Sequence, residues 1–324
     1  MFFLKILFLL GVAYCQIYVN VSNGVDDVAC GSQQTPCQSL FFAVEFQCNN
    51  QSICTIIVAS GYYFQNETIF FNKPFIIQGE GEVMLNCQFP FQGPIFYFTD
   101  TDATVNNLTF RECTNRVLIM TGDNGKLFID HSKFINNSAI PNIAENGGGA
   151  IFIRKSSVDI RNSIFIGNSV NSVKYQAGDV YGGAIYVDSL LSTNEQSFVN
   201  IYDSQFYENF ILNHWGSANY GGAVSITTLF VDINNCTFVN NSINELQTIP
   251  DQSQIYGSAL FITTVLSNSD RNDKILLEST KFIHNTITSN IQILSLLFIL
   301  LISHVSAIRY GRRLSFWYSH VSFE

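Results

Sequence analysis

The sequence predicts an all-β fold, a parallel β-helix closed at its N-terminal end by a cap helix. Two recurring elements and one compositional feature carry that prediction. A glycine doublet followed by Ala and a short apolar run occurs at Gly148-Gly149-Ala150, Gly182-Gly183-Ala184 and Gly221-Gly222-Ala223, with a degenerate copy at Gly257-Ser258-Ala259. A Phe-x-x-Asn element occurs at Phe134–Asn137, Phe165–Asn168, Phe206–Asn209, Phe238–Asn241 and Phe282–Asn285. The two alternate strictly, and the alanines stand 34, 39 and 36 residues apart, the period of a stacked-repeat architecture. The 29 Phe and 14 Tyr suit pleated, half-buried strands.

Taken in chain order, residues 1–15 have the build of a secretory signal peptide: one lysine, an apolar run from Ile6 to Ala13, and small residues at Ala13 and Cys15, with cleavage expected after Cys15. The run is too short to cross a bilayer core of ~30 Å. Residues 16–60 form a cap stapled by cysteines, in which "QSLFFAVE" starts a helix whose Leu40, Val44 and Phe41 cover the open end of the stack. Residues 61–290 form the coils. Within them "AIFI", "AIYV", "AVSI" and "ALFI" read as short buried strands, and "SVDIRNSIFIGN", "FVNIYDSQFYEN" and "FVDINNCTFVNN" alternate apolar and polar residues as half-buried strands do. Variable polar inserts at 189–197 and 266–274 behave as loops leaving a regular stack. Residues 291–308 hold no acid, lysine or arginine and precede Arg309, Arg312 and Arg313, the pattern of a candidate single transmembrane helix with a short basic tail at 309–324. A last buried coil at Ile293–Ile302 is the competing reading.

The physics of the repeat assigns each residue a task. Gly148, Gly149, Gly182, Gly183, Gly221 and Gly222 permit a tight corner where a Cβ would obstruct. Phe165, Phe206 and Phe238 point inward and stack coil on coil, and Asn168, Asn209 and Asn241 are expected in left-handed turns bonded to the local backbone. The most conspicuous motif therefore reads as scaffold, and any ligand falls to the residues that do not repeat.

Seven cysteines follow the signal region. Cys30 with Cys37 and Cys48 with Cys54 are close enough to staple the cap, and Cys87 with Cys113 to bridge neighbouring layers, although spacing alone does not fix connectivity; Cys236 is the odd one out. Asn-x-Ser/Thr sequons start at Asn20, Asn50, Asn66, Asn107, Asn136, Asn235 and Asn240, glycosylation candidates in a secreted chain.

The alternating glycine-doublet and Phe-x-x-Asn elements resemble the polymorphic outer-membrane protein repeats, over about residues 105–285. That resemblance implies a right-handed parallel β-helix of the pectin-lyase-like superfamily, and for its bacterial members an adhesive role. "CGSQQTPCQSLFFAVE" is similar to the opening of eukaryotic β-helix surface proteins. The chain departs from the bacterial members in that no series of alternating strand segments follows its repeats, and its sequons and paired cysteines suit a eukaryotic secretory protein.

A net charge of −9 and a pI near 5.0 argue against nucleic acid as a partner. Zinc is disfavoured, because no C-x-x-C pair occurs and His131, His214, His284, His304 and His320 lie in unrelated contexts; no cofactor is expected. Glycoside cleavage would need paired carboxylates, for which Asp100 with Asp102 and Asp26 with Asp27 are candidates, with polar turns the favoured reading of both. Asp159, Asp203 and Asp232 fall at similar places in successive coils and would stack if they shared a face. The expected function is non-catalytic presentation of an extended surface to a glycan or protein ligand at the cell surface or outside the cell. A polysaccharide lyase or glycoside hydrolase is the alternative.

Overall fold

The computed structural model describes residues 15–48, 52–87, 93–140, 146–172, 178–189, 197–213, 218–228, 230–245, 255–263, 274–288, 315–319 and 322–323. Alternation of apolar and polar residues, with a turn every few positions, winds these segments into the coils of a parallel β-helix, and every strand pairing is parallel. One coil shows the plan. Ile151–Arg154 lies in a seven-stranded sheet; Ser157–Arg161 and Ile164–Ile166 form two limbs of a long sheet with a bend between them. Ser169–Ser172 and, in the next passage, Val180–Tyr181 belong to two smaller sheets before the chain re-enters the seven-stranded sheet at Ile185–Asp188.

The main core lies between the long sheet and the seven-stranded sheet, filled by such pairs as Val158 and Ile160, Val199 and Ile201, Val231 and Ile233. The two smaller sheets enclose a second, minor core of Val170, Val180, Ile211 and Ile243, so each central coil has a large lobe and a small one. The neck between lobes explains the paired motif. The first glycine of each doublet takes positive φ, 70° at Gly148, 53° at Gly182 and 68° at Gly221, a backbone region that favours glycine. The second lies so close to the opposite wall that a Cβ on Gly149 would overlap the carbonyl oxygens of Ser169 and Gly183. Ser169 directly follows Asn168, so doublet and asparagine are the two sides of one constriction.

The phenylalanines stack as expected: Phe110, Phe134, Phe165, Phe206, Phe238 and Phe282 form a column with ring centroids 5.0, 4.8, 4.9, 4.6 and 4.9 Å apart. The asparagines differ from expectation. Asn168, Asn209 and Asn241 are not left-handed; the residue before each takes that conformation, with φ of 62° at Gly167, 54° at Glu208 and 54° at Asn240. That shift turns the asparagine inward, where it is fully buried. Asn168 Nδ2 donates to Phe134 O and to Asn209 Oδ1, both at 2.9 Å, while Asn168 Oδ1 accepts from the backbone N–H and the Nδ2 of Asn137 at 3.1 and 2.9 Å. The pattern repeats from Asn137 to Asn285 and uses every donor and acceptor of each amide between those ends.

At the N-terminal end the helix is short, Leu40–Phe42 continuing as a wider π-helical turn over Ala43–Gln47. Ser39 caps it by accepting from the Phe42 N–H, and Asp26 accepts from the Gln38 and Ser39 N–H groups and the Ser39 hydroxyl. Leu40, Ala43 and Val44 are buried against the first coil, with Phe41 packed partly over it. Disulfides join Cys30 to Cys37, Cys48 to Cys54 and Cys87 to Cys113, and Cys236 is free and buried.

Two segment boundaries shift. The coils begin before residue 61: Cys15–Val19 pairs in register with Cys54–Val58, because Ile17 and Val19 already supply inward apolar residues. The stretch read as a basic tail also contributes strands, Ser315–Ser319 on Lys274–Glu278 and Ser322–Phe323 on Lys281–Ile283. Residues 1–14, where most of the signal region falls, lie outside the described residues, as do the candidate span at 291–308 and most of both insert loops. Among the described residues no helix is long and apolar enough to cross a membrane.

Candidate functional site

The outer face of the first limb of the long sheet carries the side chains with the most chemistry and the least repetition. Since Val158 and Ile160 and their counterparts face the core, the residues between them face outward. Parallel register places Thr104, Phe128, Asp159, Asn200, Asp232 and Leu276 in one column, and Asp130, Arg161, Tyr202, Asn234 and Glu278 in the next.

Arg161 organises this face. Its Nε and a terminal nitrogen donate to the two oxygens of Asp159 at 2.7 and 3.0 Å, and its guanidinium carbon lies 5.6 Å from the Phe128 ring centroid and 5.4 Å from that of Tyr202. Cation–π contact on both sides and a bidentate carboxylate hold the group in one orientation. The hydrogen bonds and charge of Asp159 push the Arg161 pKa still further above its ordinary value, opposite to what a proton-abstracting base requires. Tyr202 donates its phenolic proton to Asp232 at 3.0 Å. Desolvation, followed by that hydrogen bond, pushes the phenol up to about 12. The Lys126 ammonium sits 4.9 Å from the Phe198 ring on the same face.

The acids singled out in the sequence do not gather into a catalytic cluster. Asp159 and Asp232 share a column with Asn200 between them, two strand spacings or about 9–10 Å apart. Asp203 lies instead in the bend between limbs at φ 50°, where its carboxylate accepts from Asn235 Nδ2 at 2.6 Å. Its place five residues beyond the start of Phe198–Tyr202 puts it past the strand, so an equal-looking context in sequence became a different face. Asp100 and Asp102 accept from the backbone N–H groups of Asp123 and Lys126 in the following coil, and Asp27 from that of Ala29. Those carboxylates are turn-holding groups. Among the described residues no three His, Cys, Asp or Glu side chains gather as metal ligands would.

The sequon asparagines lie apart from this network. Asn66, Asn107, Asn136, Asn235 and Asn240 are exposed, Asn20 is half-buried, and Asn50 lies outside the described residues.

A second outward column escaped the sequence reading. Tyr97, Ile119, Phe152, Tyr186, Ser225 and Phe261 are in register on the outside of the seven-stranded sheet. Tyr181, Tyr220 and Tyr256 stack beside it with centroids 4.8 and 5.2 Å apart. Burial pushes the Tyr181 and Tyr186 phenols well above their ordinary value and Tyr220 up to about 12. The legible signal was a tyrosine directly before Gly182, Gly221 and Gly257, with Gly147 in that place in the first copy. Stacked face to face, these rings occupy one another's faces, which leaves scaffold and not a platform for flat ligands.

The chain matches no family model and no curated protein, so its resemblance to the outer-membrane protein repeats rests on the repeats themselves. Among solved structures it is similar to the crystal structure of the pectate lyase Pel9A, at 15% identity and a TM-score of 0.34, over 86% of this chain and 78% of that one. The likeness carries nothing about activity. The description of this chain as a parallel β-helix stands on its own strand pairings.

Proposed function

We propose that this protein is a non-catalytic binding module of the secretory pathway, which presents the first-limb face to a glycan or protein ligand at the cell surface or outside the cell. The observation that carries the reading is the Arg161 network: a guanidinium clamped by Asp159 and two rings gives a rigid, mixed polar and aromatic surface and occupies both Asp159 oxygens. Three disulfides fit an oxidising compartment. We also place the described coils on one side of any membrane. Thr286–Thr288 before the candidate span and Ser315–Ser319 after it both join the same stack, and a single crossing between them would put paired strands on opposite sides.

The lyase or hydrolase alternative has one point in its favour: the spacing of Asp159 and Asp232 approaches that of the two carboxylates of inverting glycosidases. Against it, both Asp159 oxygens are held by Arg161. The test is a panel of immobilised neutral, amino-sugar and acidic oligosaccharides, read for retention and for released product. Retention that falls at least tenfold in Phe128→Ala and Arg161→Ala, without product, supports binding. Product release abolished by Asp232→Asn would establish the enzyme instead.

A further inference from the structure

The outer face of the second limb is unlike the first. Ile135, Ile166, Tyr207, Val239 and Ile283 line up in register as a half-buried apolar stripe, one residue per coil, beside the inward phenylalanine column. A continuous apolar row on a flat parallel sheet calls for a cover in a soluble protein. Left-handed corners run along both sides of this face. The corner shared with the first limb contains Asn107 and Asn235, at φ 53° and 51°; the far corner contains Asn136 and Asn240, at φ 53° and 54°. All four are exposed, and all four begin an Asn-x-Ser/Thr sequon.

Their placement frames the stripe. Asn235 and Asn240 stand five residues apart across the limb, about 16 Å of extended chain. Asn107 belongs to the coil of Thr109–Arg111 and Asn240 to that of Thr237–Val239, four parallel pairings further on, which is about 19 Å along the stack. The register therefore places four attachment points around the apolar stripe and the polar column of Lys133, Gln205 and Lys281 that runs beside it, whereas the first-limb face keeps its far edge, at Ser157 and Phe198, free of sequons. Each attachment asparagine is also independent of the spine: in Asn136-Asn137 and Asn240-Asn241 the first residue faces out and the second is buried in the ladder.

We propose that N-linked glycans on Asn107, Asn136, Asn235 and Asn240 form a cover over the second-limb face, which shields its apolar stripe and directs ligands to the first limb. This rests on the secretory reading above. Each glycan joins the asparagine Nδ2 and leaves that nitrogen one proton, enough for one of the two bonds that Asn107 makes to Gly79 O and Gly81 O and for the bond from Asn235 to Asp203. The test uses the full chain secreted from eukaryotic cells that make high-mannose glycans. Peptide mass spectrometry should find all four sites occupied. Trimming each glycan to a single sugar with an endoglycosidase should raise binding of an apolar fluorescent dye several-fold and produce self-association by light scattering. Blocking the four sequons through Thr109→Ala, Ser138→Ala, Thr237→Ala and Ser242→Ala, which keeps each corner asparagine, should do the same; adding Ile166→Ser and Tyr207→Ser should restore the monomer. Glycan on Asn66 but not on these four overturns the cover alone, as does a trimmed protein that stays monomeric with unchanged dye binding. No glycan on any sequon overturns the secretory reading and the cover together.

Discussion

The same position in the coil is held covalently at one end of the stack and by hydrogen bonds along the rest. In the early coils Cys87 and Cys113 are joined by a disulfide at the neck; from Asn137 to Asn285 that neck is occupied by buried amides. The two devices meet, since the Cys113 N–H donates to Asn137 Oδ1 at 3.2 Å. They differ in what they demand of their neighbours. An amide rung is satisfied only by further amides above and below, so it suits a run of identical coils. The first of the pair sits where coils are irregular: Cys54–Gln65 and Phe75–Cys87 are long strands with a register shift between them, and among the described residues no strand of the small lobe occurs there. A bond that needs one partner suits a place where the repeat has not yet become regular.

The largest effect expected on this comparison comes from the column both regions share. Phe206→Ala removes a fully buried ring between Phe165 and Phe238 and should destabilise by about 4 kcal/mol in reversible denaturant unfolding. Next, Asn209→Ala leaves the Asn168 N–H and one proton of the Asn168 side-chain amide without an acceptor and takes a donor from the Phe165 carbonyl, an expected loss of about 3 kcal/mol. A sharper probe converts one device into the other. Cys87→Ser with Cys113→Ala should cost about 3 kcal/mol, mainly by freeing the unfolded chain. Replacing Ala by Asn at 113 should recover about 1 kcal/mol, because Leu85 is in register with Phe110 and offers the carbonyl that each ladder amide uses. Equal stabilities for the two double variants would mean that the spine does not pass through this position.

The smallest expected effect concerns Cys236. Ser132, Ser163 and Ser204 occupy the same bend in earlier coils, and the Cys236 thiol donates to Asn234 O at 3.3 Å as the Ser204 hydroxyl does to Tyr202 O. Cys236→Ser should change stability by less than about 1 kcal/mol at neutral pH. Burial pushes the thiol up to about 12, above its unfolded value of 9.0. The folded state therefore holds the proton more tightly, and the associated stability is complete below pH 9 and declines as pH rises toward 12. Over that window the wild type should lose stability that Cys236→Ser retains.

Much of this was legible because the repeats constrain one another. Phe165 and its counterparts read as an inward column, and Gly148 as a residue needing positive φ, since few other roles suit those residues at that spacing. Asn168 was misplaced by one position. A left-handed corner and a buried amide make similar demands on sequence, and only the backbone shows that Gly167 takes the corner. Arg116 left no signal at all. It aligns with Gly149, the second glycine of the doublet, in a coil without a small lobe, at φ 64°, and is fully buried, with its Nε donating to Gly147 O at 3.0 Å and its guanidinium carbon 5.5 Å from the Phe152 ring centroid. A charged residue in a glycine slot reads as an exposed turn until the next coil is stacked over it. The face proposed for binding was legible only as the complement of the repeat, because outward side chains obey no period.

The continuous spine is the central claim, and native-state hydrogen exchange of Asn209→Ala tests it most directly. The ladder has a direction: Asn168 N–H donates to the Asn209 side chain, whereas the residue 209 N–H donates to Asn241. Exchange in the variant should therefore accelerate sharply at the residue 168 amide while the residue 209 amide keeps its protection. Equal loss at both amides, or no loss at either, would contradict the account.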